Sequence, residues 1–290
     1  MSNKRTMNNI SKKRIIKIVG RSFGLISFLM IASCDPDETQ RVATFDNLVM
    51  QDEFDTEGAP NRALWTYDIG TGPSNDGWGN NELQYYTDRT ENVTVENGYL
   101  LLTAKEESFS GSSYTSARIT SQGLFEQAYG RFEARIRVPY GKGYWPAFWL
   151  LGNDCAQNVW PQCGEIDIME HLGDQPTTIF GSAHGPGFSA GDAITKEYVL
   201  ANDRFDTGFH VFGIEWAPDY INYYVDDVLY QQITKEDVLE ETNGRGEWVF
   251  DHPFYIILNV AIGGNLAGAP NAETVFPQTM LVDYVRVYQK

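Results

Sequence analysis

Tyr129-Gly130-Arg131-Phe132-Glu133-Ala134-Arg135-Ile136-Arg137-Val138 alternates apolar and charged side chains without a break. Phe132, Ala134, Ile136 and Val138 take every second position, and Arg131, Glu133, Arg135 and Arg137 fill the places between them. That is the two-residue period of a strand with one face buried and the other in water. Alternation or short apolar runs recur at residues 99–104, 211–216, 220–225, 254–260 and 280–288. Turn signals separate them: Asn97-Gly98 predicts a hairpin, Ala217-Pro218-Asp219 a turn and Asn243-Gly244 another. Only a short stretch around residues 235–241 has a helical pattern. Many short strands with no alternating helices predict an all-β fold, a two-sheet antiparallel sandwich of the jelly-roll type. No repeat or low-complexity linker interrupts residues 41–290, which are read as one domain.

Within that pattern Gly164-Glu165-Ile166-Asp167-Ile168-Met169-Glu170 places three carboxylates in six residues, separated only by apolar side chains. On a regular strand Glu165 and Asp167 share one face while Ile166 and Ile168 bury on the other. Glu170 lies an odd number of steps from Glu165 and rejoins the acidic face only if a β-bulge near Met169 absorbs one residue. The bulge also shortens a separation that four regular strand steps would set at about 13 Å. Paired carboxyls about 5–5.5 Å apart cleave glycosides with retention, and pairs about 6.5–9.5 Å apart do so with inversion. The retaining spacing is the expectation. Three crowded carboxylates cannot all stay charged cheaply, so at least one should hold its proton near neutral pH. A Ca²⁺ or Mg²⁺ site, or the solvated face of an ordinary strand, would show the same acidic cluster.

The neighbouring aromatics weigh against the bland readings. In Gly143-Tyr144-Trp145-Pro146-Ala147-Phe148-Trp149-Leu150-Leu151, Trp145 and Trp149 are four apart and share a face if the segment is extended. Such indoles can bury the C–H face of a pyranose while its hydroxyls bond outward, or they can be a core pair. Seven Trp, 16 Tyr and 16 Phe are more than one small core needs, so some are expected to line a groove.

Gly-Glu-Ile-Asp-Ile-Met-Glu-His, preceded by Tyr-Trp-Pro-Ala-Phe-Trp, resembles the signature of glycoside hydrolase family 16, and within it the laminarinase-like endo-β-1,3-glucanases. The resemblance extends to residues 45–54, 77–87, 114–119 and 282–288 and so spans nearly the whole chain after its N-terminal segment. The Glu-x-Asp-x-x-Glu form, with its inserted Met, is similar to the laminarinase, agarase and carrageenase branches. The resemblance implies a concanavalin A-like jelly roll with the substrate cleft on its concave face. It implies Glu165 as nucleophile, Glu170 as general acid and base, and Asp167 as the group that holds and tunes the nucleophile, with no cofactor for catalysis. Trp145, Trp149, Arg118 and Asn81 would line the donor side of the cleft. Arg118 has an alternative place in a cross-strand ion pair, and Asn81 in a turn. His184, in Ser-Ala-His-Gly, would bond a catalytic carboxylate or a sugar hydroxyl, whereas His171 should face away and serve structure. A structural Ca²⁺ on Glu53, Gly98 and Asp283 is also implied, remote from the chemistry.

Seven basic residues between Lys4 and Arg21, an apolar stretch at 23–32 and then Ile31-Ala32-Ser33-Cys34 look like a bacterial lipoprotein leader. Its apolar part is short for a membrane span. The resemblance implies a signal peptide at 1–33, lipidation of Cys34, a tether at 34–40 and membrane anchoring. The acidic Asp35-Pro36-Asp37-Glu38 is similar to the run that follows the lipidated Cys in some surface-displayed lipoproteins, so outer-membrane or cell-surface display is the expectation. The leader holds seven of the 22 basic residues and none of the 39 acidic ones, so its removal moves the net charge from −17 to −24. Such a surface repels nucleic acid and anionic glycans and favours a neutral polysaccharide partner. In an oxidising compartment Cys155 and Cys163 are expected to pair, stapling the segment that leads into Glu165. A monomer is expected. The reading that results is a retaining endo-β-1,3-glucanase with mixed-linkage β-1,3/1,4-glucan as a secondary substrate. Its alternatives are another β-glycanase such as an agarase, or a surface glycan-binding lipoprotein without catalysis.

Overall fold

The computed structural model describes residues 44–290. The expected leader 1–33, Cys34 and the tether 34–40 lie outside the described residues. The strand read from alternation runs Gly130–Arg137 and buries Phe132, Ala134 and Ile136 completely. It lies between His210–Ala217 and Gln278–Gln289 in a ten-stranded sheet that also contains Tyr220–Val225, Val228–Thr234, Tyr99–Phe109, Ser112–Ser116 and Gln84–Tyr86. Asn47–Asp52 adds to Gln278–Gln289, and Val93–Glu96 adds to Tyr99–Phe109. The last of these pairs is joined through Asn97 and Gly98, both with positive φ, as a two-residue hairpin requires.

The second sheet has eight strands. Six of its neighbours in order are Ile194–Val199, Thr178–His184, Glu165–His171, Tyr144–Gly152, Phe254–Ile262 and Arg118–Thr120, with Thr66–Asp68 at the far edge and Glu126–Gln127 added to Phe254–Ile262. All pairings in it are antiparallel. The one parallel pairing among the described strands joins Gln84–Tyr86 to Ser112–Ser116 in the other sheet. The helix Lys235–Glu241 forms where the helical pattern placed it, with a capping box between Thr234 and Asp237.

Phe132, Phe212, Ile214 and Trp216 from the larger sheet and Phe148, Leu150, Ile166, Ile256 and Leu258 from the smaller one belong to one buried cluster. Burial of this apolar area, at about 25 cal/mol per Å², drives the sheets together. It also decides which face of the smaller sheet is left for chemistry. Every second residue of Tyr144–Gly152 goes to the core, so Trp145 and Trp149 stay part-exposed on the opposite face.

Candidate active site

The acidic strand carries the bulge that its odd spacing demanded. Against Tyr144–Gly152, Asp167 pairs with Trp149 but Met169 already pairs with Phe148. Against Thr178–His184, Asp167 pairs with Ser182 and Glu170 with Phe180. One residue is therefore extra in both ladders, and Ile168 and Met169 both bury in the core. Glu165, Asp167 and Glu170 consequently point from the same face. Gly181 lies opposite the bulge, where an added Cβ would come within 2.2 Å of the Tyr230 hydroxyl. Gly164, at φ +73°, turns the chain into the strand where a Cβ would meet Phe254 at 2.8 Å.

Register sets a row of partners across this face. Glu165 pairs with Leu151 and His184, Asp167 with Trp149 and Ser182, and Glu170 with Ala147. Trp145 Nε1 donates to Glu170 Oε1 at 2.9 Å, and Trp149 Nε1 donates to Asn259 Oδ1 at 2.7 Å. The backbone N–H of Ala190 donates to His184 Nδ1 at 3.1 Å, which leaves the proton of the neutral ring on Nε2. That nitrogen lies 3.0 Å from Asp167 Oδ2 and 3.6 Å from Glu165 Oε1. The Asp167 side chain is 6% exposed and that of Glu165 18%, so Glu165 is the more accessible of the two.

Removal from water pushes all three carboxyls up, each to about 8. Burial is the largest cause for each, and the neighbouring carboxylates push Glu165 and Glu170 further in the same direction. The three titrate as one coupled cluster that holds protons at neutral pH. Arg118 favours ionisation of Glu165 and is not among the groups acting on Glu170. Trp145 in turn favours ionisation of Glu170, so each glutamate has a group of its own drawing it toward the charged form.

Arg118 makes the cross-strand ion pair with Asp68 at 2.8 Å, and it also lies 4.9 Å from the Trp149 ring and 4.5 Å from that of Trp78. It is a spacer between two indoles as well as an ion-pair partner. Asn81, at φ +56°, bonds Asn265 through Nδ2 at 2.8 Å, at the end of the 77–81 turn that faces residues 264–267. His171 is fully buried, with Nδ1 2.8 Å from the Thr178 carbonyl; burial lowers its pKa to about 4, and it takes no part in the acidic face.

The sequence did not single out a chain of polar groups behind Trp149. Asn259 Nδ2 donates to the Tyr86 hydroxyl at 3.2 Å, and Tyr86 donates to Glu82 Oε2 at 3.3 Å. Gln84 Nε2 donates to the same Glu82 oxygen at 2.6 Å and accepts from Ile262 N–H through Oε1 at 2.7 Å. The signals were present: Glu82, Gln84 and Tyr86 have a two-residue period, and Asn259 is the polar residue in the run Phe254–Ile262, which is otherwise apolar. Cys155 and Cys163 are disulfide-bonded with Cα atoms 5.0 Å apart, closing the connection between the Tyr144–Gly152 and Glu165–His171 strands.

The expected calcium ligands are only partly placed for that role. Register brings Glu53, Gly98 and Asp283 to one end of the larger sheet, since Asp52 pairs with Val285 and Leu100 with Val282. Both Glu53 carboxylate oxygens, however, accept from Arg286, and Asp283 pairs with Arg135. A cation there would rest on backbone oxygens of Glu53 and Gly98 and on an Asp283 carboxylate shared with an arginine. Among the described residues the one acidic or histidine cluster tight enough for a metal is Glu165, Asp167 and His184, within the acidic face itself.

Residues 80–285 match Glycosyl hydrolases family 16. The β-glucanase of Rhodothermus marinus is 39% identical over 280 residues, covering 95% of this chain and 96% of that protein. Among solved structures, the catalytic domain of an endo-1,3-β-glucanase (laminarinase) from Thermotoga petrophila superposes with TM-score 0.80 at 48% identity, covering 85% of this chain and 99% of that one. The endo-β-1,3-glucanase of Pyrococcus furiosus gives TM-score 0.78 at 47% identity, with 83% and 94% covered.

Proposed function

This chain belongs to family 16 of the glycosyl hydrolases, and from that premise we propose that it is a retaining endo-β-1,3-glucanase of the laminarinase type that also accepts mixed-linkage β-1,3/1,4-glucan. The observation that carries the reading is the bulge at Ile168–Met169, which turns Glu165 and Glu170 to one face with Asp167 between them. The chemistry follows from two carboxyls set on one face of the strand. Ionised Glu165 attacks the anomeric carbon from below while protonated Glu170 delivers its proton to the departing glycosidic oxygen. The sugar is then held as an ester on Glu165. Glu170, now a carboxylate, takes a proton from water as it attacks the same carbon, and the configuration is restored. Asp167 and the Nε2–H of His184 hold the nucleophile in place. Trp145, Trp149, Arg118 and Asn81 receive the donor sugars, and no cofactor enters the reaction.

A panel of laminarin, curdlan, lichenan, barley glucan, agarose and carrageenan, with product sizing, tests this. Rapid release of mixed oligosaccharides from laminarin and curdlan is expected, with slower release from lichenan and barley glucan. Agarose as the preferred substrate would favour the agarase reading. Laminarin binding without new reducing ends would favour a glycan-binding lipoprotein. Proton NMR of the earliest products should show the β-anomer.

The same reading places the enzyme outside the cytoplasm, as a monomer anchored by a lipid on Cys34. The support is the basic-then-apolar leader ahead of Ile31-Ala32-Ser33-Cys34 and the pairing of Cys155 with Cys163. Cys34→Ala should shift the protein from the membrane fraction to the soluble one. A structural Ca²⁺ at Glu53, Gly98 and Asp283 is part of the proposal, supported by the register that gathers them. A fall in Tm on chelation, reversed by Ca²⁺, is the expected result, and an unmoved Tm removes it.

A further inference from the structure

The segment between Gly152 and Gly164 is pinned at its base and bare at its tip. Gly152 N–H donates to the Gly164 carbonyl at 3.1 Å, Asn153 Nδ2 donates to Glu126 at 2.7 Å, and His252 Nε2 lies 3.1 Å from Asp154 Oδ1. Cys163 is fully buried and bonded to Cys155. Between these anchors Val159 is 70% exposed and Trp160 39% exposed, next to each other. An exposed indole beside an exposed valine is ordinary by itself on a protein surface. Its position is specific: the Trp160 ring centre lies 5.9 Å from that of His184, whose Nε2 faces Asp167.

Trp145, Trp149 and Arg118 stand on strands on one side of Glu165–His171, whereas His184 stands on the strand on the other side. Trp160 therefore sits across the catalytic strand from the donor-side aromatics. We propose that Trp160 is a stacking platform for a glucosyl unit on the leaving-group side of the cleavage point, and that the Cys155–Cys163 bridge holds it beside His184. This rests on the β-glucanase reading of the site and adds to it a second sugar-binding surface. In the second half of the reaction a sugar stacked on Trp160 competes with water. Its hydroxyl oxygen bonds to the anomeric carbon as the Glu165 ester bond breaks, and Glu170 takes the hydroxyl proton.

The test is the ratio of transfer to hydrolysis when laminarihexaose is digested with added laminaribiose, read by mass spectrometry of the products. The ratio is internal to each reaction and does not depend on how much enzyme is folded. Trp160→Ala should lower it about fivefold, the size of a lost aromatic stack. Trp160→Phe should keep more than half of it. Cys155→Ser with Cys163→Ser should move it in the same direction as Trp160→Ala. An unchanged ratio in Trp160→Ala overturns the platform, and an unchanged ratio in the double serine variant overturns the role of the bridge. A wild-type protein that leaves laminarihexaose intact overturns the glucanase reading and this inference with it.

Discussion

The indole N–H of Trp145 donates to Glu170 Oε1 at 2.9 Å, so the side chain proposed to receive the sugar also holds the carboxyl proposed to protonate it. The bond favours the ionised form of Glu170 and so opposes the burial that pushes its pKa up. Trp145→Phe keeps an aromatic face and removes only this donor. The carboxyl should then retain its proton to higher pH, and the alkaline limb of kcat/KM should move upward. kcat should fall about tenfold as the acid loses its alignment. A pH–rate profile of the variant checks both, and a limb that moves to lower pH would contradict the assignment of Glu170 as the acid.

Replacing Glu165 or Glu170 by Ala separates their roles through the product formed with azide. Both variants should lose at least about 10²–10⁴ in kcat on laminarin. Azide needs no general base. In Glu170→Ala it should attack the ester formed on Glu165 and give a β-glycosyl azide. In Glu165→Ala no ester forms, and attack from the vacated lower face should give the α-azide. NMR of the two azides decides the matter, and the opposite pairing would exchange the roles.

The fold was legible wherever one face of a strand meets the core. Phe132, Ala134 and Ile136 alternate with Arg131, Arg135 and Arg137, which stay part-exposed on the other face. The bulge was legible because Glu165 and Glu170 are an odd number apart, and an acid buried in the core with no partner would be too costly. What stayed hidden depends on partners distant in sequence. Asp283 meets Arg135 across 148 positions and Glu53 meets Arg286 across 233, so nothing local shows that these carboxylates are already engaged. Asn259 lies within a fully buried strand, where periodicity cannot say which face bears on the site.

The chain from Glu82 through Tyr86 and Asn259 to Trp149 fixes the edge of that indole, and its central hydroxyl is a single removable atom. Tyr86→Phe leaves the Asn259 amide and the Glu82 carboxylate each short of a partner in a buried place. The cost in stability should be about 1–3 kcal/mol. KM for laminarin should rise about threefold to tenfold, with kcat nearly unchanged, if the loosened Trp149 receives sugar less well. Steady-state kinetics together with urea unfolding test this. A fall in kcat at constant KM would show that the chain serves the chemistry instead of the platform.

The acidic face should also lower stability at the pH where the enzyme works. Asp167 has an ordinary carboxyl pKa of 3.8 when exposed, and burial raises it to about 8 in the folded protein. Below the lower value both states are protonated and the group is neutral in its effect. As pH climbs, the unfolded chain ionises freely while the folded site resists, so stability drains away between about pH 4 and pH 8 and then levels off. Asp167→Asn keeps the shape and removes the titration. Its Tm should exceed that of the wild type at pH 7.5, and the gap should close as the pH is lowered towards 4, although activity is lost. Calorimetry of both proteins across that range measures the difference directly. A gap that widens on acidification would mean that Asp167 is held ionised in the folded state, and the assignment of a shared proton to this cluster would fail.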